Sequence, residues 1–74
     1  MIRVDMVRTG QNICRAMEDH GVRASDIMEA CGFTTRNAVY RWMNGKSLPT
    51  IDNMVILAYM VETALQDLIA TEDI

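Results

Sequence analysis

The side chains best suited to chemistry in this sequence lie between residues 35 and 44. On a helical wheel at about 100° per residue, five polar side chains share one arc of about 140°. These are Arg36, Asn37, Tyr40, Arg41 and Asn44. Guanidinium, amide and phenol groups are the groups that bind base edges and phosphates. The segment therefore predicts either a nucleic-acid-reading helix or an ordinary amphipathic helix whose basic face is merely solvated.

The opposite side of this segment is apolar. Its arc holds Thr35, Ala38, Val39, Trp42 and Met43. An aliphatic and indole face of this kind packs into a core, so we expect a helix over 35–44. Thr34 or Thr35 is the expected N-cap, and Gly45 the expected end.

Charge is distributed unevenly along the chain. The 74 residues carry a net charge of −3, which counts against nucleic-acid binding because such proteins are usually basic overall. Residues 30–50, however, contain Arg36, Arg41 and Lys46 and no acidic residue, whereas residues 52–74 contain acidic charges alone. We therefore expect one positive face and an acidic far end.

Length and composition favour one small cytoplasmic domain. Nothing resembles a membrane span or a signal peptide, so no membrane partner is expected. Cys14, Cys31 and a single His20 make neither a disulfide framework nor a zinc motif, so we expect no metal or other cofactor. Without a catalytic Ser/His/Asp or Cys/His set or a phosphate loop, we expect neither an enzyme nor a small-molecule substrate.

Apolar residues at helical spacing, without strand-type alternation, predict a single all-α domain over residues 1–74. The first helix is expected from about Asp5 to His20, although Gly10 weakens its pattern. The second is expected from about Ala24 to Cys31.

The sequence leaves two helix boundaries open. Because Arg23 is a poor N-cap for the second helix, Ser25 or Asp26 can serve instead and shorten it. Thr50 caps a later helix whose apolar pattern continues to Ile69 without an intervening Gly or Pro. The domain therefore has five helices, or four if the last two fuse.

The second and third predicted helices, with the turn between them, resemble a known motif. Two short helices joined at Gly32, the second with a polar face, form a helix-turn-helix over about residues 24–44. The run Gly21–Pro49, above all Arg41–Pro49, resembles the Cro/repressor-type (XRE-type) helix-turn-helix family. Thr9–Ile13 resembles a small single-domain Firmicute or phage-like branch of that family.

The resemblance implies a lambda-repressor-like domain that binds double-stranded DNA sequence-specifically. Such a protein would be a repressor-like transcriptional regulator that reads the major groove with helix 35–44. The implied base-reading residues are Arg36, Asn37, Tyr40 and Arg41. The implied phosphate contacts are Thr35, Lys46, Ser47, Ser25 and Arg23.

The chain departs from the family pattern at three places. Arg23 and Ala24 stand where members usually have a polar cap and a phosphate-binding Gln. Met17 and Met43 stand where members often have an ion pair, so we expect an apolar contact between them. Glu62–Ala64 replaces a turn that usually contains Gly or Asn.

A domain of this size reads only a few base pairs, so we expect a homodimer on a two-fold DNA site. The expected dimer surface is the surplus apolar surface of the last helix, at Leu65, Leu68 and Ile69. The alternative function is a protein-binding adaptor or antitoxin-like subunit with little DNA affinity. The acidic net charge and the missing phosphate-binding Gln favour this alternative, because both weaken binding to DNA phosphates. The same fold can serve either function.

Overall fold

The computed structural model describes residues 1–74 and contains five helices and two short strands. In chain order these are β1 (Ile2–Val4), α1 (Met6–His20), α2 (Ala24–Cys31), α3 (Asn37–Met43), α4 (Ile51–Met60), α5 (Leu65–Leu68) and β2 (Thr71–Asp73). The order and number of helices confirm the predicted five-helix domain. None of the helices has the length and apolar character needed to cross a membrane.

The prediction of a purely all-α fold is wrong, because β1 and β2 pair as an antiparallel sheet. Arg3 lies opposite Glu72 in this pairing, and their side chains form an ion pair. Strands of three residues are too short to show a clear alternation of apolar and polar side chains. Their pairing joins opposite ends of the sequence, so no local pattern predicts it.

α1 is held at both ends by the expected residues. The Asp5 carboxylate accepts a hydrogen bond from the Arg8 backbone N–H at 3.0 Å, which confirms Asp5 as the N-cap. Gly21 ends the helix in the left-handed region at φ +63°. Gly10, which weakened the sequence pattern, lies buried inside α1 where the backbone of α3 approaches it closely.

α4 and α5 are separate helices, so the domain has five helices and the fused alternative is excluded. α4 ends where Glu62 adopts a left-handed conformation at φ +51°. The Thr63 N–H donates to the Ala58 carbonyl at 3.0 Å, which closes the end of the helix. This closure usually has Gly at the left-handed position. Here Glu occupies it, and so no glycine signals the break in the sequence.

The core lies where α1, α2, α3 and α4 meet. Ile27, Val39 and Leu57 are fully buried at its centre. Met17 is also buried, and Met43 packs against the same core from a partly buried position. The direct contact between Met17 and Met43 stays a prediction. α3 is therefore attached to the domain by one face, which leaves its other face free.

The placement of Leu68 in the expected dimer surface is wrong. Its side chain is 1% exposed and belongs to the core of its own chain. The reason is that α5 packs back onto α1, where the Asn12 side-chain amide donates to the Leu68 carbonyl at 3.0 Å. Leu65 and Ile69 are partly buried against the same core.

Candidate nucleic-acid interface

Arg23 is the N-cap residue of α2, but the side chain that stabilises the start of this helix is that of Asp26. The Arg23 backbone N–H donates to the Asp26 carboxylate at 2.9 Å, and the Arg23 guanidinium lies 3.5 Å from the same carboxylate. α2 therefore runs from Ala24 to Cys31 as predicted, and the alternative of a helix shortened by a cap at Ser25 or Asp26 is excluded. Both contacts lower the pKa of Asp26. The hydrogen bond from the Arg23 backbone has the larger effect, and the hydrogen bond from the Arg23 side chain has the smaller one.

The turn after α2 sets the position of α3. Gly32 lies in the left-handed region at φ +76°, and the Phe33 N–H donates to the Met28 carbonyl at 2.9 Å. The Phe33 ring packs edge-on against Trp42 with 5.8 Å between ring centroids. The turn thus contacts the buried face of α3 directly and fixes the angle between the two helices.

α3 begins later than the sequence predicted. It runs from Asn37 to Met43, with Arg36 at the cap position, instead of starting at Thr35. The Thr35 hydroxyl accepts a hydrogen bond from the Asn37 N–H at 3.4 Å, so it satisfies a backbone donor at the start of the helix. The two consecutive threonines, Thr34 and Thr35, belong to the turn, which agrees with the low helix preference of β-branched residues.

The two faces of α3 differ as predicted. Val39 and Trp42 point into the core, with 0% and 4% of their surface exposed. The side chains predicted to read bases all lie at exposed positions: Arg36, Asn37, Tyr40 and Arg41. We refer to these four residues together with Lys46 as the basic face.

The predicted phosphate-binding residues other than Lys46 lie around the basic face, and they differ in exposure. Ser25 and Thr35 line one shallow surface depression together with Arg36, Asn37 and Tyr40. Ser25 of α2 therefore lies beside the residues at the start of α3, so one phosphate group could contact both elements. Arg23 does not line this depression.

Lys46 and Ser47 follow the end of α3. The Lys46 N–H donates to the Arg41 carbonyl at 2.9 Å, so the loop turns directly at the helix end. Lys46 is exposed and Ser47 is partly buried. Gly45 has φ +71° and lies against Val7 of α1, which holds this loop close to the body of the domain. Sequence reasoning noted Gly45 as a helix end but missed its contact with α1.

The positive charges of the basic face have no acidic partner. The ion pairs of the structure lie elsewhere, at Arg3–Glu72, His20–Glu62, Arg23–Asp26 and between the Met1 amino group and Asp73. Arg36, Arg41 and Lys46 are therefore free to attract an anionic ligand.

The remaining reactive side chains do not form a second site. Cys14 and Cys31 are free and partly buried, and burial raises the pKa of both thiols. The negative charge of Glu18 raises the pKa of Cys14 further. A raised pKa disfavours the nucleophilic thiolate. No group of three or more His, Cys, Asp or Glu side chains is arranged to hold a metal ion.

The arrangement of helices is shared with a solved structure. The chain is similar to the restriction-modification controller protein C.AhdI from Aeromonas hydrophila, with a TM-score of 0.74 and 20% sequence identity. The similarity covers 86% of this chain and 96% of that protein. No protein-family model and no curated protein matches the sequence. The shared fold is thus established by structure, and the Firmicute or phage-like branch stays a prediction.

Proposed function

We propose that this protein binds double-stranded DNA and regulates transcription, with α3 lying in the major groove. The observation that carries the proposal is the basic face, where Arg36, Arg41 and Lys46 have no acidic partner. Asn37 and Tyr40 lie beside them on the exposed side of a helix-turn-helix. The likeness to a protein described as a restriction-modification controller supports a regulatory role.

The residues of the basic face divide by chemistry. Arg36 and Asn37 lie at the start of α3, the part of a recognition helix that meets base edges first. A guanidinium can bond guanine with two hydrogen bonds, and an amide can do the same with adenine. Tyr40 and Arg41 follow one turn later. Thr35, Lys46, Ser47, Ser25 and Arg23 would contact the phosphates on either side.

We further propose repressor-like action on a two-fold DNA site that two copies occupy together. One helix of seven residues reaches only a few base pairs, so a second copy adds the specificity that one copy lacks. Because the chain carries a net charge of −3, DNA repels most of its surface. Binding to unrelated DNA is therefore expected to be weak at physiological salt.

Selection of bound sequences from a random pool of DNA duplexes tests the proposal. The expected result is a short consensus with two-fold symmetry, bound with an affinity that falls steeply as salt increases. A double variant, Arg36→Ala with Arg41→Ala, should enrich no consensus. If the wild-type protein enriches no sequence at low salt, the DNA-binding proposal is wrong.

The alternative is a protein-binding adaptor on the same fold. The acidic net charge favours it, as does Ala24 at the position where domains of the resembling family usually have a phosphate-binding Gln. Retention on heparin at low salt separates the two functions, because heparin mimics the phosphate backbone as a polyanion. A DNA-binding protein should be retained and elute with salt, whereas an adaptor should flow through.

A further inference from the structure

Arg23 is the one arginine among the predicted DNA contacts that is already paired within the chain. Its backbone N–H donates to one oxygen of the Asp26 carboxylate at 2.9 Å, and its guanidinium Nη2 lies 3.5 Å from the other oxygen. Arg36 and Arg41 of the basic face have no acidic partner. Arg23 therefore engages both oxygens of Asp26, and its positive charge is neutralised before any ligand arrives.

The two partners of this ion pair are not equally fixed. The hydrogen bond from the Arg23 backbone holds the Asp26 carboxylate at the start of α2 independently of the guanidinium. A negative charge in the first turn of a helix is also favoured by the helix dipole. The Arg23 side chain is 79% exposed and is held through its guanidinium, whereas the Asp26 side chain is 36% exposed. An anion that draws the guanidinium away therefore leaves the Asp26 carboxylate in place.

Asp26 lies close to the place where the proposed function needs a DNA phosphate. Ser25, the preceding residue, lines the depression that it shares with Thr35 and Arg36. Consecutive Cα atoms are about 3.8 Å apart, so a phosphate bound at Ser25 stays close enough to the Asp26 carboxylate for the two anions to repel each other. Ala24 has no side-chain donor that would offset this repulsion.

We infer that Asp26 limits the DNA affinity of this protein by competing with DNA phosphates for the Arg23 guanidinium. The inference rests on the proposed function and concerns how strongly the proposed surface binds. The competitor belongs to the same chain, so dilution does not remove it. The Arg23–Asp26 pair carries no net charge and therefore releases no counterions from DNA. Arg23 thus contributes little to DNA binding as long as Asp26 is ionised.

The expected effect is modest and independent of DNA sequence. Because an exposed ion pair is weak, removal of the Asp26 charge should raise DNA affinity about threefold to tenfold. The gain should be the same on a selected site and on a scrambled one, since phosphates carry no sequence information. The released guanidinium adds one phosphate contact, so the salt slope should steepen by about one unit.

Two variants at position 26 separate charge from shape. Asp26→Glu keeps a carboxylate, and Asp26→Gln replaces it with an amide of nearly the same size as Glu. Both side chains can accept from the backbone N–H at the helix start, as Glu and Gln do in capping boxes. Fluorescence anisotropy of the whole chain on both duplexes, at two salt concentrations, measures the affinities. Asp26→Glu should bind like the wild type, and Asp26→Gln should show the higher affinity and the steeper slope.

Glu29→Gln and Arg23→Ala show whether the gain acts through Arg23. Glu29 is an exposed acidic residue of the same helix without a cationic partner, so Glu29→Gln changes the net charge equally but releases no guanidinium. It should raise DNA affinity by less than about twofold. In an Arg23→Ala background, Asp26→Gln should likewise raise affinity by less than about twofold. An equal gain with and without Arg23 overturns the inference, because net charge alone would then account for it.

The remaining outcomes separate this inference from the proposed function. If the wild type binds DNA but Asp26→Gln binds no more tightly than Asp26→Glu, the inference alone is wrong. If neither the wild type nor Asp26→Gln binds any duplex at low salt, the proposed function is wrong and the inference falls with it.

Discussion

Gly10 of α1 lies directly against the backbone of α3 at Trp42 and Met43. A Cβ atom at position 10 would stand 2.7 Å from the Met43 carbonyl oxygen and would also collide with the Trp42 carbonyl oxygen. Both obstacles are backbone atoms, which cannot rotate away as a flexible side chain could. The absence of a side chain at Gly10 therefore sets how closely α3 approaches α1.

Gly10→Ala should destabilise the protein by about 1–3 kcal/mol, the usual range for overpacking a core. Alanine is the better helix former by about 1 kcal/mol, so propensity alone predicts the opposite sign. Urea unfolding followed by far-UV circular dichroism measures the difference. Gln11→Ala, at the neighbouring exposed position, is the control and should change stability by less than about 0.5 kcal/mol. A stabilised Gly10→Ala protein would show that the two helices are not in close contact.

Thr9 connects α1 to the segment after α5. Its hydroxyl is fully buried, accepts from the Ala70 N–H at 3.0 Å and lies 3.5 Å from the Ala70 carbonyl oxygen, to which it donates. Thr9→Val keeps the shape of the side chain but leaves the buried N–H without a partner, which should cost about 1–3 kcal/mol. Thr71→Val, on the exposed strand β2, is the matched control. Equal unfolding midpoints for the two variants would contradict the role of the Thr9 hydroxyl.

Glu62 holds a backbone conformation that suits glycine. Its φ of +51° separates α4 from α5, and its carboxylate lies 3.8 Å from the His20 ring. Glu62→Gly should raise the free energy of unfolding by about 0.5–1 kcal/mol, because relief of strain exceeds the added entropy of the unfolded chain. Glu62→Ala removes the ion pair but not the strain, and it should be close to neutral. Thermal unfolding of both variants measures these changes in stability. A destabilised Glu62→Gly protein would contradict the claim that the backbone at Glu62 is strained.

Asp26 should make the free energy of unfolding decrease at acid pH. Its pKa is lower in the folded chain, chiefly because the Arg23 N–H donates to the charged carboxylate. Its contribution is therefore present above the unfolded pKa of about 3.9 and is lost as pH falls through the lower folded value. Asp26→Asn should narrow the difference between urea midpoints measured near neutral pH and near pH 3. An unchanged difference would mean that the α2 cap does not depend on the Asp26 charge.

The helical part of the fold was predictable because its signals are local. Asp5, Thr50 and Gly21 mark helix ends by their side-chain chemistry or their backbone freedom, and the structure has helix ends at all three. The sheet was not predictable, since Arg3 and Glu72 meet only after the whole chain has folded. The sequence left the break at Glu62 open for a related reason, because the folded chain holds this residue in a backbone conformation that its residue type disfavours.

The composition of the basic face was predictable, but the supports that position it were not. Helical spacing alone separated Arg36 and Tyr40 from Trp42, and the structure keeps that division. The role of Gly10 could not be predicted, because a glycine inside a helix pattern gives no information about which element approaches it. Leu68 was misplaced because periodicity shows that a residue is apolar without showing whether its own chain or a partner covers it.

The most direct test of the central claim compares Arg36→Ala with Lys46→Ala on a selected DNA site and on a scrambled one. Fluorescence anisotropy at two salt concentrations gives the four affinities for each protein. Arg36→Ala should lose about 1–3 kcal/mol on the selected site and most of its preference over the scrambled one. Lys46→Ala should keep that preference, bind both DNAs more weakly and reduce the salt slope by about one unit. Unchanged binding in both variants would contradict the claim that the basic face is a DNA-binding surface.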